Sequence, residues 1–306
     1  MASQKKPPRS PFTRRSTAEE VTEGLDLTGK TALVTGCNSG LGLETMRVLA
    51  LRGAHVIGAA RTEEKAQEAT QGVKGKVTPV ACELSDFESV VACADAVTAL
   101  DTPIDMLICN AGIMALPTLE QKYGLELQFV TNHLGHFLLV NKLLPKVIDA
   151  DAGRIVMLSS SAHMQAPKEG IQFDNLSGED GYSAWRAYGQ SKLANALFAL
   201  DLSERLKDTT VTANSLHPGV IATNLGRNMS GLFSVAIGVL LFPTMRSIPQ
   251  GAATQCYVAT SPDLAGVSGY YFADSNVKTP SKHARNKDMA RKLTEVSEEI
   301  VRRYVS

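Results

Sequence analysis

A short apolar run, Thr31-Ala-Leu-Val-Thr35, breaks into the glycine-rich stretch Gly36-Cys37-Asn38-Ser39-Gly40-Leu41-Gly42. Leu43-Glu-Thr-Met-Arg-Val-Leu-Ala50 then follows with apolar residues at helical spacing. Strand, glycine turn and helix in that order deliver backbone N–H groups and the positive end of a helix to one point, where a dinucleotide phosphate can bind. Short glycine patterns also arise by chance, so a purely structural turn is the alternative to be outweighed.

The rest of the chain repeats the theme. β-rich apolar runs at Thr31 to Val34, His55 to Ala59, Val77 to Ala81, Met106 to Cys109, Arg154 to Leu158 and Val211 to Leu216 alternate with helical patterns, and a last run covers Gly269 to Phe272. This alternation predicts an α/β doubly wound fold: a parallel sheet with helices on both faces, in three layers. The chain has 306 residues, no internal repeat and no linker between residues 25 and 300, so a single domain is expected. In open parallel sheets ligands sit beyond the carboxyl ends of the strands. The glycine turn follows the first run, Asn110-Ala111-Gly112 the fourth, Ser159-Ser160-Ser161 the fifth and His217-Pro218-Gly219 the sixth. Four polar or glycine-rich loops therefore converge on one edge.

Composition narrows the function. The 31 basic residues balance 31 acidic ones, which leaves no net field to draw in nucleic acid or an anionic membrane. Cys37, Cys82, Cys93, Cys109 and Cys256 show no paired spacing and no interleaved histidines, so they read as reduced thiols and no metal is expected. Residues 1–20 carry Lys5, Lys6, Arg9, Arg14, Arg15 and three prolines without an apolar core. That stretch reads as a flexible basic arm rather than a signal peptide, ahead of a domain covering 21–306 and a cytoplasmic setting. Leu232 to Phe242 is the longest apolar run, too short for a spanning helix, which takes about 20 residues. Peripheral membrane contact stays open.

Tyr188-Gly-Gln-Ser-Lys192 adds chemistry. A tyrosine and a lysine four apart share one helix face, so an ammonium can lie beside a phenol and favour its ionised form. The bland alternative is an exposed Tyr and Lys on a solvated helix.

Taken together, Thr-Gly-x-x-x-Gly-x-Gly, Asn-Ala-Gly, a serine, Tyr-x-x-x-Lys and Pro-Gly in this order resemble the short-chain dehydrogenase/reductase superfamily, over roughly residues 27–300. Thr131-Asn-His-Leu-Gly-His-Phe-Leu-Leu139 and Tyr188 to Asn195 look like its retinol dehydrogenase and protochlorophyllide reductase branch. The resemblance implies a Rossmann-type fold and hydride transfer between a nicotinamide and a carbonyl or alcohol. It makes Tyr188 the acid or base and Lys192 its charged neighbour and ribose contact. Ser160 would hold the substrate oxygen, with Ser159 the next choice. Asn132 would hold a water that resupplies protons, or act structurally. His133 and His136 flank Asn132 and read as packing rather than metal ligands.

For the cofactor, the resemblance implies contacts from Gly36, Asn38, Ser39, Gly40, Leu41 and Gly42, from Asn110, Ala111 and Gly112, and from Pro218, Gly219, Val220 and Thr223. Glu83 and Leu84 stand where the family usually has Asp-Leu or Asp-Val at the adenine; Glu83 as a helix-start acid is the alternative. Gly58-Ala-Ala-Arg61 ends the second run without the acid that NAD enzymes place there. Arg61 can instead pair with a 2′-phosphate, which ranks NADP (NADPH) ahead of NAD unless Arg61 is only a solvated loop charge. Residues 224–250 are read as a lid over a small lipophilic carbonyl or alcohol, with core packing as the rival; Met114, Met164, Met229 and Met245 fit either. Two other readings stay open: reduction of a conjugated C=C bond, and a non-catalytic NADP-binding regulator. Family members range from monomers to tetramers, so the oligomeric state is not set.

Overall fold

Strand β1 (Thr31–Thr35) shows how the layers arise: Leu33 packs into one apolar cluster, while Ala32 and Val34 pack into another on the opposite face. Successive strand side chains point to opposite faces, so a strand buried on both sides is apolar throughout. β4 (Met106–Cys109) and β7 (Arg154–Leu158) divide their residues the same way. In the computed structural model, which describes residues 7–221 and 245–305, these strands form the centre of an eight-stranded sheet. The others are β2 (His55–Ala60), β3 (Val77–Ala81), β8 (Thr212–His217), β9 (Tyr271–Ala273) and β10 (Asn276–Val277), and the order is β10-β9-β8-β7-β4-β1-β2-β3. Only β10 runs antiparallel to its neighbour. A separate two-stranded hairpin, β5 (Gln121–Lys122) with β6 (Leu125–Glu126), was not foreseen from the sequence.

From β1 the chain winds outward to β3 and then returns to β4 on the other side of β1. The two loops that leave β1 and β4 therefore diverge at the switch point, where open sheets place ligands. Pro79 lies in β3, an edge strand, where its missing N–H costs no central ladder bond. The last long strand begins at Tyr271 rather than Gly269. Asn214 takes over the backbone just before it, donating to the Val267 carbonyl at 2.7 Å and accepting from the Tyr270 N–H at 3.0 Å.

Helices α4 (Phe87–Thr98), α6 (Gly135–Ile148), α7 (Ala184–Arg205) and the C-terminal helix Lys287–Val305 cover one face. Helices α2 (Gly40–Leu51) and α3 (Glu63–Gln71) and the helix Ile248–Thr260 cover the other. The basic stretch expected as a free arm is packed onto this second face from Ser10 onward. The Ser10 N–H donates to Asn276 Oδ1 at 3.0 Å, Phe12 meets the Tyr257 ring edge-on at 5.7 Å, and Thr17 and Glu20 form a capping box on α1 (Ala18–Val21). No helix among the described residues is long and apolar enough to cross a membrane.

Where α6 crosses the turn after β3, a Cβ on Gly135 would lie 2.2 Å from the Leu84 carbonyl oxygen. Backbone stands on both sides, so no flexible side chain can yield. Gly135→Ala is expected to cost about 1–3 kcal/mol through overpacking, lowering the urea midpoint without changing the slope. An unchanged midpoint would contradict this contact.

Candidate active site

Thr35 ends β1, and its hydroxyl joins that strand to the loop after β4 and to α6. Oγ1 accepts from the backbone N–H of Asn110 at 2.9 Å and of Ala111 at 3.0 Å, so its own hydrogen is directed at His136 Nε2, 2.8 Å away. His136 therefore carries its proton on Nδ1 and donates it to the Asn132 carbonyl at 2.9 Å. Burial brings this imidazole down to about 4, so it is neutral at physiological pH. Asn110 Nδ2 donates to the Thr35 carbonyl at 2.8 Å, which closes the loop after β4 onto the glycine turn.

Asn132 lies in a π-helical turn, Val130–Leu134, where α5 (Leu127–Phe129) passes into α6. Its two amide hydrogens go to the Ile113 carbonyl and to Ser191 Oγ, both at 2.9 Å, and its Oδ1 accepts from the Ile113 N–H at 2.8 Å. The side chain thus braces the backbone after Asn110-Ala111-Gly112, and only one lone pair of Oδ1 is left for the water the resemblance assigned to it. His133 is buried and bonded to Ser297 Oγ at 2.9 Å. Among the described residues no group of three or more His, Cys, Asp or Glu is placed to hold a metal.

Ser160, Tyr188 and Lys192 come together beyond β7. Ser159 is buried and donates to the Lys192 carbonyl at 2.6 Å, whereas Ser160 Oγ accepts from the Ala162 N–H at 3.1 Å and lies near enough to Tyr188 to favour its ionised form. Lys192 Nζ is 5.8 Å from the Tyr188 ring centroid and donates to the Leu158 carbonyl at 3.1 Å. A Cβ on Gly112 would sit 2.8 Å from Asn132 Oδ1 and 3.2 Å from Lys192 Nζ, so any side chain there would fill the space between amide and ammonium. Burial pushes the Tyr188 phenol up to about 12, with Ser160 pulling the other way. Burial brings the Lys192 ammonium down to about 8. The phenol is therefore not acidified in the protein alone, as the Tyr–Lys spacing had suggested: desolvation outweighs a cation whose hydrogen bond goes to a carbonyl.

The glycine turn suits a diphosphate. α2 starts at Gly40 with Ser39 as its first flanking residue, no side chain caps its N–H groups, and its first turn holds no acid. The uncapped amides and the helix dipole both favour an anion. A Cβ on Gly42 would lie 2.2 Å from the Gly36 carbonyl oxygen and 2.6 Å from Asn110 Nδ2, and Gly36 has a φ of 69°. Cys37, between them, is buried inward, while Asn38 and Ser39 are exposed and Leu41 half-buried.

Further out, the guanidinium of Arg61 lies just past the end of β2, exposed and without a hydrogen bond or ion pair among the described residues. Glu83 Oε1 accepts from the N–H and hydroxyl of Ser85 at 3.0 and 2.9 Å. Leu84, 3% exposed, belongs to the core beneath α6. The pair expected at the adenine thus has one side chain engaged in the turn before α4 and one buried. Pro218, Gly219 and Val220 are half-buried after β8, and Thr223, with most of the stretch read as a lid, lies outside the described residues.

Three neighbours of this centre were not singled out from the sequence. His163 donates from Nδ1 to the Ser160 carbonyl at 2.5 Å, accepts from the Ser281 N–H at 3.0 Å and packs on the Tyr271 ring. Arg246 donates to the Pro218 carbonyl and is ion-paired with Asp274. The position of His163, three residues after Ser160, was the one available signal; Arg246 and Asp274 reach the site from remote segments.

A parallel doubly wound sheet with an uncapped glycine turn at its switch point is a nucleotide-binding α/β architecture. Residues 30–231 match the family of short chain dehydrogenases, to which this chain belongs, and it is an NAD(P)-dependent oxidoreductase. It is 45% identical over 305 residues to the short-chain dehydrogenase TIC 32 B, chloroplastic, of Brassica napus, covering 96% of this chain and 95% of that one. Retinol dehydrogenase 12 of Mus musculus is 39% identical over 285 residues, with 92% and 89% covered. A crystal structure of an uncharacterized protein from Mycobacterium Paratuberculosis superposes with a TM-score of 0.73 at 32% identity, over 92% of this chain and 97% of that one. The cytoplasmic setting expected from the sequence draws no support from the plant relative's name.

Thr35→Val keeps the shape but leaves the half-buried Ala111 N–H and the buried His136 Nε2 without this partner, while the Asn110 N–H keeps its second acceptor, the Ile108 carbonyl at 3.0 Å. A loss of about 1–3 kcal/mol is expected in urea unfolding, partly restored by Thr35→Ser. Equal stability of Thr35→Val and wild type would remove the hydroxyl from its central position.

Proposed function

We propose that the chain is an NADP-dependent oxidoreductase that interconverts a carbonyl and an alcohol on a lipophilic substrate, with Tyr188 as acid and base. The observation that carries this reading is the convergence beyond β7 of Tyr188 and a buried, still cationic Lys192, its Nζ 5.8 Å from the phenol ring, with Ser160 beside them. When bound, the reduced nicotinamide supplies hydride. Gly36 and Gly40 to Gly42 hold the diphosphate, Asn110 to Gly112 and Lys192 the nicotinamide side, and Pro218 to Val220 its outer border. Ser160 orients the substrate oxygen, and Tyr188 gives it a proton. With the phenol at about 12, the ligand-free site is stocked with that proton at pH 7. Asn132 fixes the Ile113 backbone and so the Gly112 gap that Lys192 fills.

Two observations support the finer points. Arg61 is an exposed cation without a partner among the described residues, at the end of β2 where an acid would repel a 2′-phosphate. Met164 and Trp185 expose 66% and 42% of their surface on the segments that carry Ser160 and Tyr188, and Trp185 meets the Tyr188 ring edge-on at 6.1 Å. Exposed apolar surface beside a polar centre fits a substrate with an apolar body, and the retinol dehydrogenase relative is named for such a molecule.

NADPH and NADH absorbance, followed with retinoid, steroid, aromatic and short aliphatic carbonyls, tests the reading. Tyr188→Phe is expected to lose about 10²–10⁴-fold in turnover while NADPH still binds. For reduction, kcat/KM is expected to fall as pH rises past about 8, where Lys192 loses its charge; oxidation, which needs the phenolate, gains with pH. Full activity of Tyr188→Phe, or products with a C=C bond reduced and the carbonyl intact, would overturn the assignment.

Arg61→Glu is expected to raise KM for NADPH about tenfold or more and to shift preference toward NADH. An unaltered ratio of the two cofactors would clear Arg61 of any part in the choice.

A further inference from the structure

We propose that Arg246, clamped by Asp274, is a positioning residue that sets the loop Pro218–Ile221 from outside the site. The inference rests on the reading above, in which that loop borders the nicotinamide.

Two hydrogen bonds converge on the loop, the first of them part of a parallel bridge. The Arg246 backbone N–H donates to the Val220 carbonyl at 2.9 Å, its Nη1 donates to the Pro218 carbonyl at 3.1 Å, and Ile221 pairs with Arg246 as a parallel bridge. The guanidinium lies flat against Gly219: a Cβ there would sit 2.4 Å from Nε and 2.6 Å from Cζ, and Gly219 has a φ of 98°. A residue with a side chain would be excluded twice, by the left-handed backbone and by the guanidinium. The side chain of Arg246 is only 12% exposed, so its charge needs a fixed partner, and Asp274 provides it.

Asp274 is held in an unusual place. It and Ser275 form the turn between β9 and β10, and both are non-glycine residues at positive φ, 58° and 55°. Two-residue hairpins of this kind favour Asn-Gly or glycine pairs, so this turn carries strain that its surroundings must offset. The Ser275 N–H donates to Thr254 Oγ1 at 3.1 Å. Asn276 ties the turn to the N-terminal segment, donating from Nδ2 to the carbonyls of Asp274 and Phe12 at 2.9 and 3.0 Å while Oδ1 accepts from the Ser10 N–H. Strain kept in a turn whose carboxylate meets the guanidinium that braces Pro218–Ile221 is strain used to aim that carboxylate. Among the described residues the one other side-chain hydrogen bond to this loop is the Gly219 N–H to His217 Nδ1 at 3.4 Å, so the clamp holds the Pro218 and Val220 carbonyls that this bond leaves free.

The test compares wild type, Arg246→Met, Asp274→Asn and the double variant in the full chain. The first readout is amide hydrogen exchange at Gly219–Ile221 without cofactor, with β1 and β4 as internal controls. The second is NADPH affinity, read by quenching of Trp185, the single tryptophan. Arg246→Met is expected to speed exchange in the loop alone and to weaken NADPH binding about tenfold; Asp274→Asn should act in the same direction but less. The double variant should be no worse than Arg246→Met, because the two side chains act as one unit. Unchanged loop exchange in both single variants, or additive losses, would overturn the clamp. Faster exchange with full NADPH affinity would overturn its bearing on the cofactor. Failure of the wild type to bind NADPH would sink the functional reading instead, with the exchange data still deciding the clamp.

Discussion

An ammonium group with only 5% of its residue surface in reach of water must be held in place by its surroundings, and the Lys192 site is organised around that requirement. The Leu158 carbonyl accepts from Nζ and also from Asn195 Nδ2 at 3.0 Å, and the Ser159 hydroxyl anchors the Lys192 main chain. An isolated buried charge would cost several kcal/mol or lose its proton. Here the displacement stops at about 8, which leaves the side chain mainly charged at neutral pH. The end of β7 and the middle of α7 are thereby locked in one register, and the Tyr188 phenol, one turn earlier, follows.

That register has a second support of a different kind. A Cβ on Gly189 would lie 2.6 Å from the Ala162 carbonyl oxygen, so the short 3-10 helix after Ser160 (Ser161–Gln165) rests directly on α7 beside Tyr188. Backbone contact fixes a distance more firmly than side chains with several rotamers can. Ser160 and Tyr188 are therefore apposed by the fold itself, and under the proposed roles the cost of aligning them is met by folding rather than at each turnover. The raised phenol pKa follows from the same dry packing.

Much of this was legible in the sequence. Runs such as Met106–Cys109 and Arg154–Leu158 are apolar because both faces of a central parallel strand are covered, and that pattern needs no tertiary knowledge. The glycine turn is equally local, since its helix starts a few residues after its strand ends. Ser160 was preferred to Ser159 on the pattern of the family, and the structure turns Ser159 toward the Lys192 carbonyl. What could not be read depends on partners brought together only by the fold. The Asn132 amide is spent on Ile113 and Ser191 because of the π-helical turn at its position. Leu84 is drawn into the core by Gly135, and the phenol is desolvated by residues that no spacing rule connects to it. The basic N-terminal stretch misled for the same reason: its charge pattern describes solvent exposure, while Ser10 and Phe12 find Asn276 and Tyr257 more than 240 positions away.

These long-range ties divide the site into two regimes. On the side of β1 and β4, hydroxyl, imidazole and amide groups from neighbouring loops saturate one another within a few ångströms, so the groove for the dinucleotide is set by the sheet itself. On the side of β8, the sheet ends before the loop is fixed, and support has to be imported from segments distant in the chain through a charged pair and a strained hairpin. A groove framed by rigid secondary structure suits a part shared by every reaction of such an enzyme, whereas a border held by a few replaceable side chains can diverge without loosening the fold. Tyr188 and Lys192, to which the proposal assigns proton transfer, lie between the two, on α7, where neither change reaches them directly.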